Sequence, residues 1–335
     1  MGDSREGRVL RKIGGVAYWA AGAPALARLP AAVGYRLACW RGDWLFRRHA
    51  AERTELAANL RQVLGSQLSP AAAQDVTREW FRLASCQAVD VKRLRHSALP
   101  LRRLVEIRGR EHLETALAGG KGAILCSAHF GSFDSAFSLL NPSGYPVTTI
   151  GRWQHKYATG LSAVERRFWA LVYARPLQRL RQRPNIEPWP GRVDVAARAA
   201  AVLRANEVVT ICIDAPPLDS DQARAVAVPF LGGQASLLPG IVTLARVTGA
   251  PVLMTFLHRC ADYRHQVLEI SAPLPTGGDT AAAFARCAAE LSAVITRSPA
   301  HWRYWASTAD LVTLGLVPPP RDRSAAAARS VAVAS

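Results

Sequence analysis

One stretch of the chain brings an imidazole and a carboxylate close together: Lys121-Gly-Ala-Ile-Leu-Cys-Ser-Ala-His129-Phe-Gly-Ser-Phe-Asp134. A histidine oriented by a carboxylate is what general-base chemistry requires, because the acid fixes the tautomer and raises the basicity of the other ring nitrogen. In an unbroken α-helix, residues five apart point about 140° away from each other, so His129 and Asp134 meet only if the chain bends between them. Gly131 and Ser132 can supply that bend. Glycine tolerates the turn, and serine can cap a helix whose first turn carries Asp134 back toward the ring. His112, His265 and His301 read as packed or solvated side chains.

Other chemistries find little support. The chain has no Gly-x-Ser-x-Gly elbow, and Ser127 and Ser132 flank His129 too closely for the usual triad. A Walker phosphate loop and a Gly-x-Gly-x-x-Gly fingerprint are also missing. The six cysteines, at 39, 86, 126, 212, 260 and 287, show no Cys-x-x-Cys spacing, so no zinc site or redox motif is expected and no metal ligands are assigned. Cys126 and Cys212 lie within apolar runs and read as buried small hydrophobes, which fits a reducing, cytoplasmic setting.

The elements that must position His129 are legible around it. Ala123 to Ala128 is a short apolar run after Gly-Gly-Lys-Gly and reads as a buried parallel strand with His129 at its end. Further strands are expected from Val105, over Pro146–Ile150, Val208–Ile213 and Pro251–His258. Helices are expected over Glu111–Ala118, Val193–Leu203 and Leu238–Val247. This alternation predicts an α/β fold with an open, mixed but mainly parallel sheet flanked by helices. Ligands of such sheets bind beyond the carboxyl ends of the strands, where His129 and Asp214 both sit. Before the sheet the pattern is helical: Glu52 to Leu64, then a helix opened by Ser69-Pro70 and running toward Val91. Four segments follow: 1–48 interfacial, 49–104 a helical lead-in, 105–315 the catalytic domain, and 316–335 a disordered tail.

Composition narrows the partners. The chain has 335 residues, of which 50% are hydrophobic and 20% charged, which excludes both a disordered chain and a polytopic membrane protein. Its formal charge of +17 implies an anionic partner. Lys12, Lys92, Lys121 and Lys156 are the only lysines, so the excess is arginine, suited to bidentate phosphate contact. The basic residues are dispersed and carry no nucleic-acid-binding signature, so a membrane surface is favoured and no nucleic acid is expected. The N-terminus supports this. Its apolar run from Ile13 to Ala27 is short of the roughly 20 residues that span a bilayer, while Trp19, Tyr35, Trp40 and Trp44 alternate with arginines as in an interfacial segment.

With these residues in view, the chain resembles the bacterial lauroyl/myristoyl acyltransferases of lipid A biosynthesis and the related phosphatidylinositol mannoside acyltransferases. The likeness spans roughly residues 30 to 310. It is carried by Asn59-Leu60 with Leu68-Ser69-Pro70, by Ile107-Arg-Gly-Arg-Glu-His-Leu113, and by the His129-x-x-x-x-Asp134 block. Val228-Pro-Phe-Leu-Gly-Gly233, Thr248-Gly-Ala-Pro-Val252 and Ser298-Pro-Ala-His-Trp302 extend it. The resemblance implies a glycerolipid acyltransferase-like fold. It also implies transfer of a fatty acyl group from a thioester, on acyl carrier protein or coenzyme A, to a hydroxyl of a membrane glycolipid or phospholipid, with no cofactor. His129 is then the general base and Asp134 its partner. Arg152 is the candidate for the acceptor's phosphate or the oxyanion, with a solvated arginine as the alternative. Asp214 matches an acidic position near the acceptor, with a turn residue before Pro216-Pro217 as the alternative. The implied location is the cytoplasmic face of the cell inner membrane, peripherally or shallowly anchored. Three departures, Ser132-Phe133-Asp134 for Asn-Trp-Glu, Ala215-Pro216-Pro217 after Asp214, and Ala300-His301 for Glu-Gln, leave the acceptor open. The rival class is a basic, non-enzymatic protein binding membranes or nucleic acid.

Overall fold

The computed structural model describes residues 17–94, 101–140, 144–151, 185–187 and 194–319, with Arg167 and Leu171. Arg152, residues 1–16 of the expected interfacial segment and residues 320–335 of the expected tail lie outside the described residues; the tail's start is not loose as expected, because Leu316 and Val317 pack into the main core.

Among the described residues, a π-helical turn (Tyr18–Gly22) leads into four α-helices: α1 (Ala23–Arg28), α2 (Ala31–Arg48), α3 (Ala50–Leu64) and α4 (Pro70–Arg93). The last begins where the Ser-Pro pair predicts it, with the Ser69 hydroxyl accepting from the Ala72 amide at 3.2 Å and proline in the first turn. The inner face of α2 buries Gly34, Tyr35, Ala38 and Gly42. A Cβ on Gly42 would fall 2.5 Å from the Cα of Arg82, so only glycine lets α2 sit this close to α4. No helix among the described residues is long and apolar enough to cross a membrane.

The α/β part follows as β1 (Val105–Arg108), α5 (Arg110–Ala118), β2 (Ala123–Ser127), α6 (Phe133–Leu140), β3 (Val147–Ile150), α7 (Val195–Arg204) and β4 (Val208–Cys212). Then come a hairpin of β5 (Val226–Phe230) and β6 (Gly233–Leu237), α8 (Gly240–Thr248), β7 (Val252–Arg259), β8 (Gln266–Leu274), α9 (Thr280–Arg297) and α10 (Thr308–Thr313). Six strands form one sheet in the order β1-β8-β7-β2-β4-β3. Strands β7, β2, β4 and β3 run parallel; β8 is antiparallel to β7, and β1 runs parallel to β8.

The fold is therefore the mixed, mainly parallel open sheet that the sequence predicts. Central strand β2 is buried at all five positions. Its alternate residues feed two cores: Ile124 and Cys126 face one that includes α8 and α9, and Ala123 and Leu125 face one that includes α5 and α6. After β2 the chain builds β3 and β4 on one side and returns as β7 on the other. The carboxyl end of β2 is thus a topological switch point, where open sheets form a crevice.

Candidate active site

Strand register puts the two chemistry-bearing side chains together. Ser127, the last residue of β2, pairs with Cys212, the last of β4. The pairing continues one step further, the Ile213 amide donating to the Ser127 carbonyl at 3.0 Å. His129 and Asp214 then emerge side by side, each two residues past its strand. The Asp214 Oδ1 lies 2.8 Å from His129 Nδ1, and Oδ2 accepts from the His129 backbone amide at 2.9 Å.

A third donor completes the carboxylate's shell, the Trp302 indole N–H reaching Oδ2 at 2.8 Å. Asp214 is fully buried. Burial alone would raise its pKa. Attraction to His129 and the hydrogen bonds from His129, Trp302 and the backbone outweigh that, holding the group below the usual carboxylate range. An ionised Asp214 requires the proton on Nδ1 of a neutral imidazole, which leaves the lone pair on Nε2. The Tyr304 hydroxyl lies 3.2 Å from the same Nδ1. Burial and then the Asp214 charge push its pKa well above that of a free phenol, so it stays a neutral hydroxyl. Phe133 packs edge-on against the ring, centroids 4.7 Å apart, and the His129 side chain keeps 16% of its surface exposed.

The expectation placed the Asp134 carboxylate on the imidazole. The carboxylate that the structure places there belongs to Asp214; the backbone of Asp134 is in the first turn of α6, and its side chain lies outside the described residues. Asp214 itself was expected near an acceptor or in a turn. It does lie in a turn, directly after β4, and from there its carboxylate stands behind the imidazole, with donors from His129 and Trp302.

The loop from His129 to Ser132 is held from several directions. Gly131 has φ +57°, and a Cβ there would lie 2.2 Å from the Leu257 carbonyl oxygen, so the expected glycine bend is real. The Gly131 amide donates to the His301 carbonyl at 2.8 Å, and the Arg303 amide to the His129 carbonyl at 3.0 Å. The segment after α9 thereby runs antiparallel to the loop, which brings Trp302 and Tyr304 to the dyad. Phe130 stacks on His301, with centroids 5.0 Å apart. The packed role expected for His301 holds. Its Nε2 accepts the Arg259 amide at 3.1 Å, and burial, with His258 and Arg259 nearby, lowers its pKa to about 3.

Ser132 departs from its expected role. The carbonyl, not the hydroxyl, receives the first amides of α6, from Ser135 at 2.8 Å and Ala136 at 3.0 Å. The hydroxyl donates to Asp90. Fully buried Asp90 also accepts from the Tyr35 hydroxyl at 2.6 Å, from Gln266 at 3.2 Å and from Arg259. A buried charge is tolerable when its lone pairs are filled in this way. The His129 loop is thus tied to α2, α4, β7 and β8 at once.

Trp302 and Tyr304 were not foreseen as site residues. The available signal was Trp302-Arg-Tyr304, two aromatics with polar tips at alternate positions, which an extended segment directs to one side. Cys126 is fully buried, and burial pushes its thiol pKa well up, leaving it a poor nucleophile. His129, Cys212 and Asp214 offer possible ligand atoms within 4.8 Å of one another, and both Asp214 oxygens are already engaged in hydrogen bonds with His129 and Trp302. An open groove of about 460 Å³ between α4 and the turn at 298–301 is lined by residues including Arg78, Glu79 and His301; neither His129 nor Asp214 is among its lining residues.

A buried, ionised acid thus stands behind an imidazole at the switch point of an open sheet, bonded to its Nδ1. A search of curated protein sequences gives no match. The family model described as bacterial lipid A biosynthesis acyltransferase matches residues 3–306, almost the whole described fold and both members of the dyad, so the chain belongs to that membrane-associated family and is an acyltransferase of lipid biosynthesis.

Proposed function

We propose that the protein moves a fatty acyl group from a thioester, on acyl carrier protein or coenzyme A, to a hydroxyl of a membrane glycolipid or phospholipid, with His129 as general base. The observation that carries this reading is the bond from His129 Nδ1 to the buried, ionised Asp214, which leaves Nε2 to accept a proton. Asp214 thus takes the orienting role first expected of Asp134.

In this mechanism Nε2 removes the proton of the acceptor hydroxyl as its oxygen attacks the thioester carbonyl. The tetrahedral adduct collapses, the C–S bond breaks, and the thiolate leaves with the proton returned by the imidazolium. Asp214 stabilises that imidazolium, and three N–H donors keep the carboxylate from turning away. The thioester is already activated, so the reaction requires no cofactor and no acylated side chain; buried Cys126 is in no position to form one. Arg152 remains our candidate for the acceptor's phosphate or the oxyanion. The protein works at the cytoplasmic face of the inner membrane, held peripherally. Its net charge of +17 suits an anionic lipid surface.

Lipid extracts of cells with and without the gene, compared by mass spectrometry, test this. A lipid class lighter by one acyl group in the deleted strain, restored by the wild-type gene and not by His129→Ala, is the expected result. Identical lipid profiles in the two strains would refute it.

A further inference from the structure

Helix α2 (Ala31–Arg48) has two contrasting faces. The inner one is pressed onto α4 through Gly34, Tyr35, Ala38 and Gly42. The outer one carries Val33, Leu37, Trp40 and Trp44, at 47%, 42%, 64% and 46% exposure. Their spacing is that of a single helical stripe, roughly 60° wide at about 100° per residue. Apolar side chains of this size in one line are not the scattered exposure that ordinary surfaces show.

Cations border the stripe. Arg36 and Arg47 fall on one side and Arg48 on the other, all exposed, with exposed Arg28 on the preceding helix. The helix contains one acid, Asp43, which is turned to Arg78 and Arg82 and bonded to both. The outer face therefore presents apolar side chains between positive charges, with no exposed acid among them.

We infer that this face of α2 is the surface by which the protein docks on a bilayer containing anionic phospholipid. Val33 and Leu37 enter the acyl boundary, Trp40 and Trp44 sit at headgroup level, and Arg36, Arg47 and Arg48 contact lipid phosphates. Pairing of two copies through the stripe would set arginine against arginine with no acid to neutralise them. Nucleic acid would leave the apolar centre unsatisfied. The same helix reaches the catalytic loop: on its inner face the Tyr35 hydroxyl donates to Asp90, which also accepts from Ser132, three residues past His129. A docked α2 thus holds the loop in fixed relation to the surface that supplies the acceptor. The inference names the surface for the peripheral attachment proposed above but involves none of the catalytic groups, so the two fail separately.

The test uses the full chain and flotation with vesicles of phosphatidylglycerol and phosphatidylcholine, or of phosphatidylcholine alone. Wild type should float with the anionic vesicles. Combined Leu37→Ser, Trp40→Ser and Trp44→Ser should weaken binding roughly tenfold or more, and Arg36→Glu with Arg47→Glu and Arg48→Glu should abolish the anionic preference. Both variants should keep wild-type transfer to an acceptor presented in detergent. A conservative pair, Trp40→Phe with Trp44→Phe, guards against misfolding: brominated acyl chains should quench the wild-type fluorescence, and this pair should remove the quenched component. Unchanged flotation of the serine variant, equal flotation on phosphatidylcholine alone, or no quenching would overturn the inference. So would a serine variant that floats normally but loses self-association or acyl carrier protein binding.

Discussion

Replacing Asp214 with asparagine probes the relay at its least conspicuous member. Three N–H groups converge on the carboxylate, one at Oδ1 from the His129 ring and two at Oδ2 from the His129 amide and Trp302. An amide offers one oxygen and one NH₂, so the NH₂ must face either one donor or two. The cheaper placement keeps the oxygen where Oδ2 was and turns the NH₂ toward Nδ1. The imidazole must then accept at Nδ1 and carry its proton on Nε2, the nitrogen that should take the acceptor's proton. The base is lost although every hydrogen bond survives. By analogy with other His-Asp relays, kcat should fall by about 10³ to 10⁴, or about 4 to 5.5 kcal/mol at 1.36 kcal/mol per decade. Stability should fall by only about 1 to 2 kcal/mol, since the burial and the bonds remain. Acyl transfer from a radiolabelled thioester to a lipid extract measures the first, and urea unfolding the second. A folded Asp214→Asn protein retaining more than about a tenth of wild-type kcat would refute the tautomer argument. Asp134→Asn leaves the Nδ1 bond to Asp214 in place and should lose less activity.

Three other perturbations test the supports of the loop. Gly131→Ala places a Cβ against the Leu257 carbonyl at positive φ and should cost more than about 2 kcal/mol in urea unfolding, with activity falling in step; a neutral effect would contradict the close approach. Asp90→Ala strands buried Arg259 and frees Ser132, so a loss of about 3 to 5 kcal/mol is expected; a variant as stable as wild type would show that the network holds nothing together. His301 has a pKa of about 3 against an ordinary value near 6.5, so between those values the unfolded chain binds a proton that the folded chain does not. Its contribution is present above about pH 6.5 and is lost as pH falls toward 3, at up to about 1.4 kcal/mol per unit. His301→Gln, whose carbonyl can still accept the Arg259 amide, should flatten that slope, and superimposable pH profiles would contradict a neutral buried ring.

How much of this was legible in sequence depended on range. The β2 strand, the glycine bend and the helix after it are local features, and the run Ala123–Ala128 with Gly131 displayed them. The pairing of His129 with Asp214 was not local. It follows from the register Ser127 to Cys212, which requires knowing that β4 lies beside β2 and stops level with it. Sequence proximity favoured Asp134 over Asp214 for that reason. Ser132 was a natural helix cap by type, yet tertiary structure offered its hydroxyl a buried carboxylate instead. Strand β8 and the β5–β6 hairpin were not foreseen: β8 is antiparallel and its last part is largely exposed, and β5 contains Pro229, a residue that weakens a strand assignment. Trp302 and Tyr304 reach the site only because the segment after α9 doubles back along the His129 loop.

The most direct test of the central claim is the rate of acyl transfer by His129→Ala, purified and shown by circular dichroism and thermal melting to be folded like wild type. The account predicts a loss of about 10² to 10⁴ with saturating thioester and acceptor, because the acceptor hydroxyl then loses the base that the mechanism assigns to it. Near-normal turnover by that folded variant would contradict it.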